Sequence, residues 1–448
     1  VVAILGVVAV VVVVLAMLRG PGSRPLTRDG EVGGGGSAAG EAVSAGSSQG
    51  VEQRVKPRLA SRGGGSGASG AAAIVADKVV AYAQGRRQVV ETLARRLNVE
   101  VPPAVGDFFA AVESGNWREV KAQFHAVSSQ VGGPGAAAGM AALLPAIKEA
   151  YAVAEAREAW PAEDLLAYGQ DVLAALKPGM VYVGGSRWGS AIPSLMNETS
   201  GEGRAVLLDQ TMMSEPGYVE YLAAMYGDRM TTLTAEDAER ARGGYAAREK
   251  ERARENGAGS GGNAPAPGGG ASEIAENLML ALLWKNPGMT VAMEKPVPGS
   301  ALYELATPMG PIFEVRAPAA AGENPGPVTT AAQAEQTVRY WQDTVAKLQS
   351  APETEEMATQ RRTMADMALT QAQMLASRSL NVEAELTYRT AIDIAPMALE
   401  PVDELARFLH GAGREPEAQQ VLDAYLNRNP GKESEVGVLR SRLGGPGR

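Results

Sequence analysis

The chain opens on an unbroken apolar run. Val1 to Leu18 carries no charge, and eighteen residues at ~1.5 Å rise span ~27 Å, the thickness of a bilayer core. The run closes in Leu18-Arg19-Gly20-Pro21 with no small-x-small cleavage site, so it predicts an anchor over 1–19 rather than a cleaved signal peptide. Residues 20–72 then lose periodicity altogether, with glycine runs at Gly33 to Gly36 and Gly63 to Gly65. Such a stretch buries too little to offset its ordering entropy, and reads as a disordered spacer. Helical periodicity begins near Ala71, where Ile74, Val79, Val80, Val89, Val90 and Leu93 recur at three-, four- and seven-residue spacings. Further helices follow around 108–112, 117–127, 144–154 and 161–176, the last with Pro161 at its first position, making a helical section over 73–176.

The period changes after Lys177-Pro178-Gly179. Met180 to Val183 is a short apolar run bounded by glycine, the pattern of a buried strand. A helix over 191–197, a strand over 205–208 and a helix over 218–226 come next. Strands at 230–233, 291–294, 302–305 and 311–315 complete the set, the last two as a hairpin through Pro308-Met309-Gly310. Strand–helix alternation predicts parallel βαβ units. The fold class expected is therefore α/β, a mainly parallel sheet flanked by helices, over 177–320. A Gly/Ala/Pro/Asn-rich insert at 256–271 reads as disordered.

From 328 to the C-terminus the pattern repeats at an offset of 34. Glu383-Ala384 returns as Glu417-Ala418, Tyr388 as Leu422, Leu375 as Leu409 and Pro396 as Pro430. That is the tetratricopeptide period. Small Ala384 and Ala418 let paired helices approach, Tyr388 and Leu422 fill the seam, and Pro396 and Pro430 stop the second helix of each unit. Helices are expected at 363–377, 381–395, 399–411, 415–428 and 433–443, preceded by one over 330–349 that opens on a Thr330…Gln333 capping box.

Composition narrows the chemistry. With 448 residues there is room for two or three domains, and a net charge of -9 is no match for nucleic acid. The absence of cysteine removes disulfides, thiolate metal sites and cysteine nucleophiles. Two histidines, His125 and His410, leave little for a triad or a metal site; both read as structural or surface residues. No metal and no cofactor is expected. The best candidate for chemistry is the turn Gly184-Gly185-Ser186-Arg187, between a strand and a helix, where open α/β sheets bind anionic ligands. Glycines permit close approach, and Arg187 can clamp a phosphate or carboxylate. Asp209 and Gln210 end the next strand, and Glu294 ends a later one. Each also has a plain structural reading: a tight turn for the glycines, a turn cap for Asp209.

The run Lys177 to Ser186, then Asp209-Gln210-Thr211, Tyr218 to Leu222, Tyr226 to Arg229, Asn286-Pro287-Gly288 and Pro308-Met309-Gly310 resembles an uncharacterised group of membrane-anchored, repeat-bearing proteins of Verrucomicrobia and Planctomycetes. It is also similar to soluble segments of protein-mannosyltransferase-like membrane proteins. The resemblance implies an α/β core followed by helical repeats, outside the cytoplasm, and hands over no activity. Positive charge at Arg19, Arg24 and Arg28 points the other way, toward a cytoplasmic body. The group follows its Gly-Gly turn with an acidic residue and Pro-Gly-Arg; this chain has Ser186-Arg187-Trp188 instead.

Two functions follow as expectations. The first is a protein-interaction scaffold, tethered to lipid through 1–18 and meeting a protein partner through its tetratricopeptide-like surface. The alternative is a ligand-binding domain or enzyme acting on a phosphorylated or glycan-related substrate at Gly184-Gly185. Convergence of Arg187, Asp209 and Glu294 in one cleft would favour the second.

Overall fold

In the computed structural model, residues 67–131, 139–201, 205–257, 269–316, 329–349 and 357–443 are described. The anchor over 1–19, residues 20–66 of the spacer and 258–268 of the insert lie outside them. Spacer residues 67–72 already belong to a helix.

The architecture corrects the expected fold class. Of the described residues 74% are helical, and they hold one small mixed sheet of five strands, so this part of the chain is mainly helical rather than mainly parallel α/β. No helix among the described residues is long and apolar enough to cross a membrane. The N-terminal section holds α1 (Gly67–Leu97), α2 (Pro103–Ser114), α3 (Trp117–Val131), α4 (Leu144–Ala159) and α5 (Ala162–Ala175). α1 packs on α2, α4 and α5, burying Val75, Val79, Tyr82, Val90 and Leu93.

The sheet region runs β1 (Val181–Gly184), α6 (Arg187–Glu198), β2 (Val206–Asp209), α7 (Tyr218–Tyr226), α8 (Ala235–Gly257), α9 (Gly269–Lys285), β3 (Thr290–Met293), α10 (Ala301–Leu305), β4 (Ala306–Met309) and β5 (Ile312–Arg316). The strand order is β2-β1-β3-β5-β4. β1 is parallel to both β2 and β3, while β5 is antiparallel to β3 and β4.

Two expected strands are absent, for physical reasons. At 230–233 the backbone finds a side chain instead of a neighbouring strand: Asn286 accepts from Thr231 N (2.9 Å) and donates to Thr231 O (2.8 Å). At 302–305 the chain makes one helical turn, because Ser300 caps it by accepting from Tyr303 N (3.1 Å) and Glu276 accepts from Ala301 N (2.6 Å). Helix-start groups satisfied this way favour the turn over a ladder. The hairpin therefore forms one element later, between β4 and β5.

The C-terminal section comprises α11 (Ala331–Gln349), α12 (Met357–Ser377), α13 (Asn381–Ile394), α14 (Glu400–Gly411), α15 (Glu415–Arg428) and α16 (Glu433–Leu443). α12 pairs with α13 and α14 with α15. Ala384, Ala418 and Leu422 are fully buried and Tyr388 nearly so; α13 stops before Pro396 and α15 before Pro430. The described residues, all between 67 and 443, fall in one compact unit. α12 joins its parts, contributing Met364, Met367 and Met374 to the core around the sheet and Leu369, Ala372 and Leu375 to the core of the helix pairs.

Candidate functional site

β1 connects through α6 to β2 on one side, whereas the chain leaves β3 toward the other. The point where direction reverses, between the ends of β1 and β3, is where ligands of open α/β sheets sit. Here that position is filled by the protein itself. The Glu294 carboxylate, immediately after β3, accepts from Gly185 N (2.7 Å), Ser186 N (2.7 Å) and Ser186 Oγ (2.6 Å). These are the donors a bound anion would use at the start of α6.

The local sequence is built around this contact. A Cβ on Gly189 would stand 1.8 Å from Glu294 Oε2, and one on Gly184 would stand 2.3 Å from Ser190 Oγ. Both positions must be glycine for the carboxylate and the first turn of α6 to fit. Ser186 caps that turn, accepting from Gly189 N (3.0 Å). Pro193 has no N–H for the Gly189 carbonyl four residues back; the buried Tyr182 hydroxyl donates to it instead (2.7 Å). Burial raises the pKa of Glu294, against the opposing hydrogen bonds from Ser186 and Gly185.

Of the other candidates, Gln210 reaches the same turn, its Oε1 3.4 Å from where a Cβ on Gly185 would stand, while Arg187 and Asp209 make no bond to Glu294. Arg187 turns outward, pairs with Glu155 of α4 and lies over the rings of Tyr151 and Trp188 at 5.3 and 5.7 Å. Asp209 folds back on its own turn, accepting from Thr211 N (2.8 Å) and Thr211 Oγ1 (2.6 Å). Burial pushes its pKa up to about 6; Thr211 and the nearby Ser190 hydroxyl pull the other way. Ser190 Oγ, close as it is, makes no well-aligned hydrogen bond, and Gln210 Oε1 is likewise buried without a partner. No hydrogen bond or ion pair among the described residues links any two of Arg187, Asp209 and Glu294. His125 is exposed, and His410 pairs with Glu415 at the end of α14. No cluster able to hold a metal ion occurs among the described residues.

A buried polar network escapes the pattern reading. Glu149 of α4 accepts from Arg86 Nε (2.6 Å), Tyr221 OH (2.6 Å) and Tyr82 OH (3.2 Å), tying together α1, α4 and α7. Arg86 is only 3% exposed. Its signal was present: position 86 lies on the apolar stripe of α1, four residues after Tyr82 and four before Val90. A charge there has to find a buried partner.

Open concavities lie instead on the helix pairs. One groove of about 290 Å³ is lined by Arg362 and Asp366 of α12, Met397 to Pro401, Tyr425 and Lys432. A second, of about 210 Å³, runs between α13 and α15 on the other side of Tyr425. Met397 is 58% exposed beside the first. No protein-family model, curated protein or solved structure matches the chain.

Proposed function

We propose that this protein is a docking scaffold that binds another protein through its C-terminal, tetratricopeptide-like helix pairs. The observation that carries the reading is a contrast within one body. The crevice at the sheet is filled by Glu294, while the helix pairs present open grooves lined by apolar and charged side chains together. Pockets with a few charged groups at their rim suit peptide recognition. The filled turn argues against the alternative, a phosphorylated or glycan-related ligand at Gly184-Gly185.

Selection of a displayed random-peptide library against the full chain tests this. Enriched peptides are expected to lose binding with Met397→Glu or Val421→Glu and keep it with Arg187→Ala. Ligands that ignore both groove substitutions, or that sugar phosphates displace in an Arg187-dependent way, would overturn the proposal.

A further inference from the structure

Resting on that docking role, we infer that the groove between α13 and α15 receives one amphipathic helix of a partner protein, anchored by an acidic side chain against Arg428. The floor is α14, whose Val402 and Leu405 are buried beneath it. One wall is α13, with Ile392, Arg389 and Asp393; the other is α15, with Val421, Ala424, Tyr425 and Arg428 at spacings of three and four. The α13 wall extends beyond the groove. Val382 is 70% exposed and Leu386 41%, and both share a face with Arg389 and Asp393 at offsets of four, seven and eleven. From 382 to 393 is eleven residues, or ~16 Å of helix. This face is apolar at Val382 and Leu386 and charged at Arg389 and Asp393, where it enters the groove beside Ile392, so a guest helix of about three turns meets apolar anchors at one end and charge at the other.

Charge selects the guest further. The chain as a whole is acidic, yet two arginines and one aspartate line this groove. Arg389 is committed to Glu385, which accepts from its Nε (3.0 Å) and Nη2 (2.7 Å). Arg428, at the last turn of α15, makes no ion pair within 4 Å among the described residues; Asp393 acts on it only at longer range. A guest carboxylate there would gain a charge-assisted, bidentate contact. The acid therefore belongs at the end of the guest helix that lies over Arg428 and Pro396, with the apolar anchors running toward Val382.

The probe is a synthetic amphipathic peptide of four helical turns, leucines along one stripe and glutamates at one end of it. It is titrated with the full chain by fluorescence anisotropy beside a scrambled control. Binding is expected to weaken about tenfold with Arg428→Glu and to return when the peptide glutamates become arginine. Arg428→Gln should weaken binding without that return, separating contact from long-range charge. The inference falls if the scrambled peptide binds equally, if Arg428→Glu leaves affinity unchanged, or if light scattering finds a dimer of the chain that Arg428→Glu dissolves. Library-selected ligands that depend on Met397 but not on Arg428 would remove this groove and leave the docking role standing; the absence of any selected ligand would remove both.

Discussion

Glu294 makes three short contacts with Gly185 and Ser186, and two of its partners are backbone N–H groups at the start of a helix. Truncating it to alanine leaves those donors unpaired and opens a void of carboxylate shape. The loss should be about 3–5 kcal/mol, read by urea denaturation. If the carboxylate stands in for an anion, adding about 100 mM acetate should raise the melting temperature of Glu294→Ala beyond what equal chloride does. Equal shifts in the two salts would show that the turn has no affinity for a free carboxylate. Gly189→Ala, which drives a methyl into Glu294, should be at least as damaging. Asp209 tests the electrostatics from the other side. Its folded pKa of about 6 lies above the ordinary carboxylate value of 3.8, so the folded state holds the proton more tightly. Its contribution is present in full below the unfolded pKa and is lost as pH rises through 6. Asp209→Asn, which keeps an acceptor for Thr211, should therefore be more stable than the parent at pH 8, by at most about 3 kcal/mol. The advantage should vanish near pH 4. Glu294, also shifted upward, leaves a residual slope of the same sign in the variant.

At the scale of elements, capping decides several boundaries. Thr330 N donates to Gln333 Oε1 (2.8 Å) while Gln333 N donates to Thr330 Oγ1 (3.3 Å), the reciprocal box that the sequence pattern predicts. Thr330→Ala should cost about 1 kcal/mol, read as a lower denaturation midpoint with an unchanged slope. Helices with both an apolar stripe and a stop signal were legible: α13 spans Asn381–Ile394 against a reading of 381–395, and α15 spans Glu415–Arg428 as read. β1 and β2 were legible because a short apolar run between turns has few alternatives. Met230 to Leu233 and Leu302 to Leu305 show the limit. Their apolar content fits a strand, but the partners that decide against one, Asn286 and Glu276, lie 55 and 26 residues away in sequence for Thr231 and Leu302. The site was half legible for the same reason. The Gly-Gly turn announces a close approach, yet nothing local says that the approaching group is Glu294 itself, 109 residues beyond Gly185. Parallel βαβ units extrapolated to the whole core overstated the sheet, since its outer half is a hairpin and its strands are four or five residues long.

For the whole molecule the question is whether the helix pairs stand alone or are part of the sheet body. The buried Gln371 of α12 answers it through its hydrogen bonds. Its Oε1 accepts from Trp341 Nε1 (2.8 Å), and its Nε2 donates to Gly310 O (3.0 Å) and Ile312 O (3.3 Å), bridging α11 to the β4–β5 turn. Lys295, next to the carboxylate in the crevice, reaches both Asp366 oxygens at 2.6 Å, and Arg378 donates to Ala306 O (2.6 Å). α12 is thus a shared wall, and its Met364 and Met367 belong to the core around the sheet and the N-terminal helices, Met367 accepting from Tyr168 OH of α5 at 3.7 Å. Two consequences follow. The full chain should unfold in one transition, with tryptophan fluorescence, to which the buried Trp160 and Trp341 both contribute, tracking far-ultraviolet circular dichroism. A fragment of residues 329–443 should expose that methionine face and either associate or lose its cooperative melt, since two repeat units bury too few faces alone. Gln371→Ala strands an indole N–H and two carbonyls in the interior, a loss of about 2–4 kcal/mol. If the parts are one cooperative body, both probes shift together in that variant. A fluorescence midpoint that drops while the helical signal holds would mean that the helix pairs fold on their own and use the sheet only as a base.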